Sequence, residues 1–332
     1  PMVTRLFTRL QVRMLCAGAL GAMLAGFAPP AAGNSSVNVQ LFRPSGHFGD
    51  QTHAVGSQLA PARSWGFGLT TSFGKNPLVF IDRDTHQRHE VVQEQATMDL
   101  FRSITPFDWL DLGVEIPIHL VNVGASDGFT GIHPFPSQVL GDMRIALKTQ
   151  FVDPEETSLY GMAARVVLGL PTGHPYAFVS DGLSGEVTLI ADVHGHGLRF
   201  TVNAGLRVQE GAPLPSAELT FQEVGPVTLL YAVGLSGYLL GDGEAWVPNE
   251  TVHLNLELDL HGGTGAGDPF KEDLTALETL LGLNVQFPGS GVGLRLGGGT
   301  SWMSGHGNVE YRLYVGFSFF DLNVTEVRDN DR

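Results

Sequence analysis

The stretch Val252-His253-Leu254-Asn255-Leu256-Glu257-Leu258-Asp259-Leu260-His261 alternates without a break. Val252, Leu254, Leu256, Leu258 and Leu260 fall on one face of an extended chain. His253, Asn255, Glu257, Asp259 and His261 fall on the other. Successive strand side chains point to opposite faces, whereas a helix would scatter the leucines around its axis. This is therefore a strand with one aliphatic and one ionisable face. The same period returns elsewhere. Leu110, Leu112, Val114, Ile116, Ile118 and Leu120 oppose Asp111, Gly113, Glu115, Pro117 and His119. Leu198, Phe200, Val202, Ala204, Leu206 and Val208 oppose Arg199, Thr201, Asn203, Gly205 and Arg207. Tyr311, Leu313, Val315, Phe317 and Phe319 oppose Arg312, Tyr314, Gly316 and Ser318.

Working outward, twelve segments of this kind are read at 65–73, 91–103, 109–121, 139–151, 159–170, 185–194, 197–209, 226–240, 251–261, 274–287, 291–301 and 308–320. Most exceed the usual strand of about five or six residues and match the roughly 9–11 that a tilted strand needs to cross a bilayer. The connections alternate. Those at 74–90, 122–138, 171–184, 210–225 and 262–273 are long, and those at 104–108, 152–158, 195–196 and 288–290 are short, with 241–250 between. Outer-membrane barrels have short periplasmic turns and longer outside loops. The expectation is an all-β fold: a transmembrane antiparallel β-barrel of about 12 strands over residues 65–320, with both mature termini periplasmic.

A soluble β-sandwich would need one of these faces as its core. The polar face carries Asp99, Asp111, Glu115, Asp142, Arg144, Lys148, Arg165, Asp192, Arg199, Arg207, Glu257, Asp259, Arg295 and Arg312, and burying that many charges against a second sheet is costly. In a barrel these residues line the lumen while the aliphatic face meets lipid. Trp65, Phe107, Trp109, Phe151, Trp246, Trp302 and Phe319 near strand ends are expected to form interfacial girdles.

The bulk composition agrees. The chain has 332 residues, 43 of them glycine, with 16% charged and 43% hydrophobic residues, and no apolar run long enough for a spanning helix outside the N-terminus. A net charge of −15 argues against nucleic acid as a partner. Residues 1–33 read as a signal peptide: Arg5, Arg9 and Arg13, then an apolar stretch from Met14 to Phe27, then Ala31-Ala32-Gly33. The single cysteine, Cys16, lies within it. Residues 34–64 are polar and aperiodic, and are expected either to plug the lumen or to hang in the periplasm.

Several short motifs add to this picture: Gln40-Leu41-Phe42-Arg43-Pro44, Leu112-Gly113-Val114-Glu115-Ile116-Pro117, Gly141-Asp142-Met143-Arg144-Ile145-Ala146-Leu147-Lys148 and Leu170-Pro171-Thr172-Gly173. On these residues the chain resembles the N-terminal barrel of the large OmpA-family outer-membrane proteins of myxobacteria and related deltaproteobacteria. The resemblance implies a structural anchor of the cell envelope. It also implies that 321–332, ending Asp329-Asn330-Asp331-Arg332, begins a periplasmic linker cut short. Contact with peptidoglycan is then expected only through a domain outside this chain.

No catalytic group stands out, so the chain is expected not to be an enzyme. His194-Gly195-His196 sits in a tight turn. His86, His89 and Glu90 have near-ligand spacing but lie in a polar outside loop without a helix to pose them, and coordination needs a third ligand and a second shell. Gly262-Gly263-Thr264-Gly265-Ala266-Gly267 lacks the Lys-Ser/Thr ending of a phosphate loop and is expected to be flexible. No catalytic, cofactor or metal residue is assigned. The expected partners are outer-membrane lipid and the barrel-assembly machinery. The alternative to the anchor is a porin-like barrel with small polar solutes as its cargo.

Overall fold

In the computed structural model the residues described are 38–47, 50–81, 88–124, 137–157, 159–174, 177–210, 227–240, 252–267, 269–270, 275–287, 290–303 and 307–321. The expected signal peptide, His86, Trp246 and residues 322–332 lie outside them.

The strands are β1 (Ser64–Ile81), β2 (Arg88–Phe107), β3 (Leu110–Gly124), a two-residue β4 (Val139–Leu140), β5 (Met143–Val152), β6 (Tyr160–Leu170), β7 (Ser184–Gly195), β8 (Leu198–Gln209), β9 (Val227–Leu240), β10 (His253–Gly265), β11 (Thr275–Phe287), β12 (Val292–Ser301) and β13 (Tyr311–Asp321). One helical turn, α1 (Pro154–Thr157), links β5 to β6. Each long strand pairs antiparallel with its sequence neighbours, β3 pairs with β5, and β1 pairs with β13 from Trp65↔Asp321 to Lys75↔Tyr311. The sheet therefore closes into a twelve-stranded antiparallel barrel, with β4 as a short flap beside β3. Closure satisfies every strand edge, as lipid requires.

The faces are inverted relative to a soluble protein. Leu256, Leu258, Leu260, Leu313 and Val315 are exposed, while Asp111, Lys148, Glu257, Asp259 and His261 are buried. Trp65, Phe67, Phe317 and Phe319 make one aromatic patch on the outer seam of β1 and β13. Phe107 and Trp109 stack at the neighbouring short turn, 5.6 Å apart.

Two expected loops are strand. The β1–β2 hairpin runs on to Ile81↔Arg88, where a long loop 74–90 was expected; a register shift between Lys75 and Leu78 carries the ladder past Pro77. Gly262–Gly265 extends β10 instead of forming a flexible loop. Tyr231 lies across Gly262 and its hydroxyl donates to the Ala276 carbonyl at 2.7 Å. A Cβ at Gly262 would come within 1.9 Å of that carbonyl, so only glycine admits the crossing ring.

Residues 38–63 occupy the interior. Each small apolar cluster inside the barrel joins one of them to the wall: Phe42 with Leu280 and Tyr314, Val55 with Ala163 and Ile190, Ala60 with Phe101 and Phe320. The even strand number puts Ser64 and Asp321 at one end of the barrel. It does not put residue 38 there. Val39 donates to Phe178 of the β6–β7 connection, at the opposite end. An aperiodic stretch carries no sign in the sequence of where it enters the barrel.

Candidate functional site

Among the described residues the internal surface of consequence is the lumen wall, and the strand period builds it. Every second residue points inward, and antiparallel register sets opposite charges face to face. Glu115 pairs with Arg144 across β3 and β5, and Glu186 with Arg207 across β7 and β8. Arg144 Nε lies 3.0 Å from Glu115, Arg165 Nη2 lies 2.5 Å from the same carboxylate, and Arg144 Nη2 lies 3.4 Å from Asp99. Arg207 reaches Glu186 at 3.0 Å, Arg199 reaches Asp192 at 2.8 Å, and Arg312 reaches Glu278 at 2.6 Å.

The other wall charges are spent on the inner segment. Lys148 donates to Asp50 at 2.8 Å and to the Gln58 carbonyl at 3.0 Å. His47 Nδ1 lies 2.9 Å from Asp111. Glu257 accepts from the backbone N–H and hydroxyl of Thr52 at 3.0 and 2.8 Å, and Asp259 accepts from the His53 N–H at 3.1 Å. Asp192 accepts from the Ser57 N–H and hydroxyl at 2.7 and 2.6 Å. Asn203 both donates to the Val55 carbonyl and accepts from the Val55 N–H, each at 2.8 Å. Arg295 donates to the carbonyls of Ser45, Asp50 and Gln51. Irregular backbone at membrane depth must find partners in protein. Here wall acids take its N–H groups and wall bases take its carbonyls, while Arg312 also covers the Phe42 ring at 4.8 Å.

Thirteen of the fourteen expected lumen charges face inward and take part in this scheme. Asp142 does something else. It lies between β4 and β5 and accepts from Gly173 N–H at 2.8 Å, Asp181 N–H at 2.6 Å and the Ser180 hydroxyl at 2.9 Å. That folds the β6–β7 connection inward, burying Ala177, Phe178 and Val179 over the segment's first residues. Asp181 then binds Arg43 at 2.7 Å. Burial pushes the Asp181 carboxyl up, but the Arg43 and Arg207 guanidiniums outweigh it and hold the group below the usual aspartate value.

Sequence reasoning missed His47, Asp50, Asp181, Glu186 and Glu278 as parts of the interior. Glu186 was findable, since the register sets it across from Arg207 on a polar face. His53 and His261 stack at 3.6 Å between their centroids. The space left between Arg43, Arg144, Arg165, Arg207, Glu115 and Glu186 is a cavity of about 70 Å³, room for two or three waters. Among the described residues no group of three or more His, Cys, Asp or Glu is placed to hold a metal ion. His194 sits at the β7–β8 turn with Nε2 3.3 Å from Asp192.

No family model matches the chain, and no curated protein matches it. Solved structures are similar to it at low identity. LpxR from Salmonella typhimurium is 11% identical with a TM-score of 0.41, over 76% of this chain and 99% of that one. The β domain of the Bordetella autotransporter Brka is 10% identical with a TM-score of 0.43, over 77% and 98%. OccK11 (OpdR) of Pseudomonas aeruginosa is 9% identical with a TM-score of 0.33, over 81% and 100%. The closed twelve-stranded barrel with an aliphatic exterior rests on the strand pairing and burial of this chain itself. One expectation is corrected here. The expectation that the chain is not an enzyme is withdrawn, because a barrel with LpxR among its similar structures is not excluded from being one.

Proposed function

We propose that this protein is a sealed structural barrel of the outer membrane, an envelope anchor of the OmpA type and not a passive pore. The observation that carries this reading is the segment 38–63 held in the lumen from Val39 to Arg63. Passive transport needs a continuous water path. Here the ring of wall charges is bonded to the segment or to itself, and the β6–β7 connection closes over one end. Lipid is the partner of the aliphatic outer face, and the barrel-assembly machinery inserts it. Any contact with peptidoglycan runs through chain outside residues 38–321.

Planar-bilayer conductance of the refolded chain from Asn34 onward tests the reading. Silence from protein shown to be folded and inserted is expected. Discrete, reproducible current steps would overturn it.

A further inference from the structure

The two ends of the lumen segment lie at opposite ends of the barrel. At the end with the long connections, Val39 N–H donates to the Phe178 carbonyl at 3.1 Å, and Asn38 bonds the Asp181 side chain. Both partners belong to the β6–β7 connection. Leu41 and the Val39 carbonyl also close on Gly307 of the β12–β13 connection, where a Cβ would come within 2.6 Å of Leu41 Cγ. At the other end, Arg63 N–H donates to the Thr105 carbonyl at 2.6 Å, two residues before β2 ends at a tight turn. Asp321 pairs with Trp65 at that same end.

Between these points the path doubles back. His47 reaches Asp111 near the short-turn end, Thr52 and His53 rise to Glu257 and Asp259, and Ser57 returns to Asp192. Burial follows this route: Asn38 is half-buried, Arg63 is exposed, and most described residues between them are enclosed. The segment therefore traverses the lumen.

We propose that the lumen segment opens at Asn38 on the long-connection side of the membrane, so that the barrel carries this end of the segment across the bilayer and presents it opposite Asp321. Long connections face outward in outer-membrane barrels, which makes that side the cell surface. The segment is held there by bonds to eight different strands of the wall, from Gln40–Asp99 on β2 to Thr52–Tyr314 on β13, and cannot slide without breaking buried ion pairs. The inference rests on the threading and not on the sealed-barrel role. A conducting barrel would sink that role and leave this placement untouched.

The test uses three variants of the full precursor, each with one peptide epitope: after Ser36, within the β8–β9 connection at 215–220, or after Arg332. Each is first shown to form a folded barrel by heat-dependent gel migration. Antibody binding is then compared between intact and permeabilised cells. The Ser36 and β8–β9 epitopes should report the same side and the C-terminal epitope the other. A Ser36 epitope that reports with the C-terminal one overturns the proposal. If an epitope at Ser36 blocks folding, Ser36→Cys labelled by a membrane-impermeant maleimide decides the same question. The only native thiol, Cys16, is removed by starting the refolded chain at Asn34 in vesicles of known orientation.

Discussion

Lys148 on β5 places its ammonium 2.8 Å from the Asp50 carboxylate of the lumen segment, with both side chains wholly enclosed. A pair of this kind costs desolvation on both sides, and its strength lies in what happens when one member is removed. Asp50, the one acidic residue of 38–63, also accepts from the Ser45 hydroxyl and the Gly56 N–H. Lys148→Met leaves that carboxylate buried without its cation. The expected cost is roughly 3–5 kcal/mol of unfolding free energy. Adding Asp50→Asn should recover most of it. Urea unfolding of the refolded barrel in detergent, read by tryptophan fluorescence, checks both numbers. Equal stability of wild type and Lys148→Met would mean that the pair does not form.

The aliphatic face makes a second prediction. Leu258 is near the middle of β10 and 44% exposed, with Leu235 and Leu281 beside it on β9 and β11. Leu240 is at the end of β9 and 59% exposed. In a bilayer, arginine at the midplane costs roughly 2–4 kcal/mol and near the interface roughly 0–1 kcal/mol. Leu258→Arg should therefore destabilise the barrel in vesicles by a few kcal/mol and Leu240→Arg by much less. Similar, small effects at both positions would contradict a lipid-facing exterior.

Acid should loosen the closure of the long-connection end. The Asp181 carboxyl is held below the usual aspartate value because the Arg43 and Arg207 charges outweigh its burial. A carboxylate depressed in the folded state adds stability above its unfolded value, and that contribution is lost as pH falls through the folded one. The loss is confined to pH below the ordinary value of 3.8. Arg43→Met removes one attraction and leaves the burial, so the closure is weaker already at neutral pH and loses less as the pH falls. Protease cleavage of the β6–β7 connection across an acid series, with an acid-tolerant protease, reads this. An acid dependence in Arg43→Met as steep as in the wild type would contradict it.

Much of this was legible in the sequence, and the reason is periodicity. Leu256, Glu257, Leu258 and Asp259 state their own faces, and antiparallel register then carries Glu115 to Arg144 without further information. Where the period breaks, so does the reading. Leu280 points inward against Phe42 beside the outward Leu281, which blurred the phase of β11 and hid Glu278. Pro77 and the glycines at 262–265 read as loop, yet a register shift and a crossing tyrosine keep both stretches in the sheet. Residues 38–63 have no period at all. Their place is set by partners as far away in sequence as Glu257 and Arg295, and no local pattern announces such contacts.

The claim on which the account turns is that residues 38–63 fill the lumen, and Ala54 offers the most direct measurement of it. Its side chain is fully enclosed, whereas Arg63 is exposed. In the chain from Asn34 onward the only thiol would be the one introduced. Reaction of Ala54→Cys and Arg63→Cys with a bulky water-soluble maleimide is followed in the folded, inserted barrel and again after denaturation. Arg63→Cys should react readily in both states and Ala54→Cys only after denaturation. Prompt reaction of Ala54→Cys in the folded barrel would show that the segment lies outside the lumen, and the account would fail.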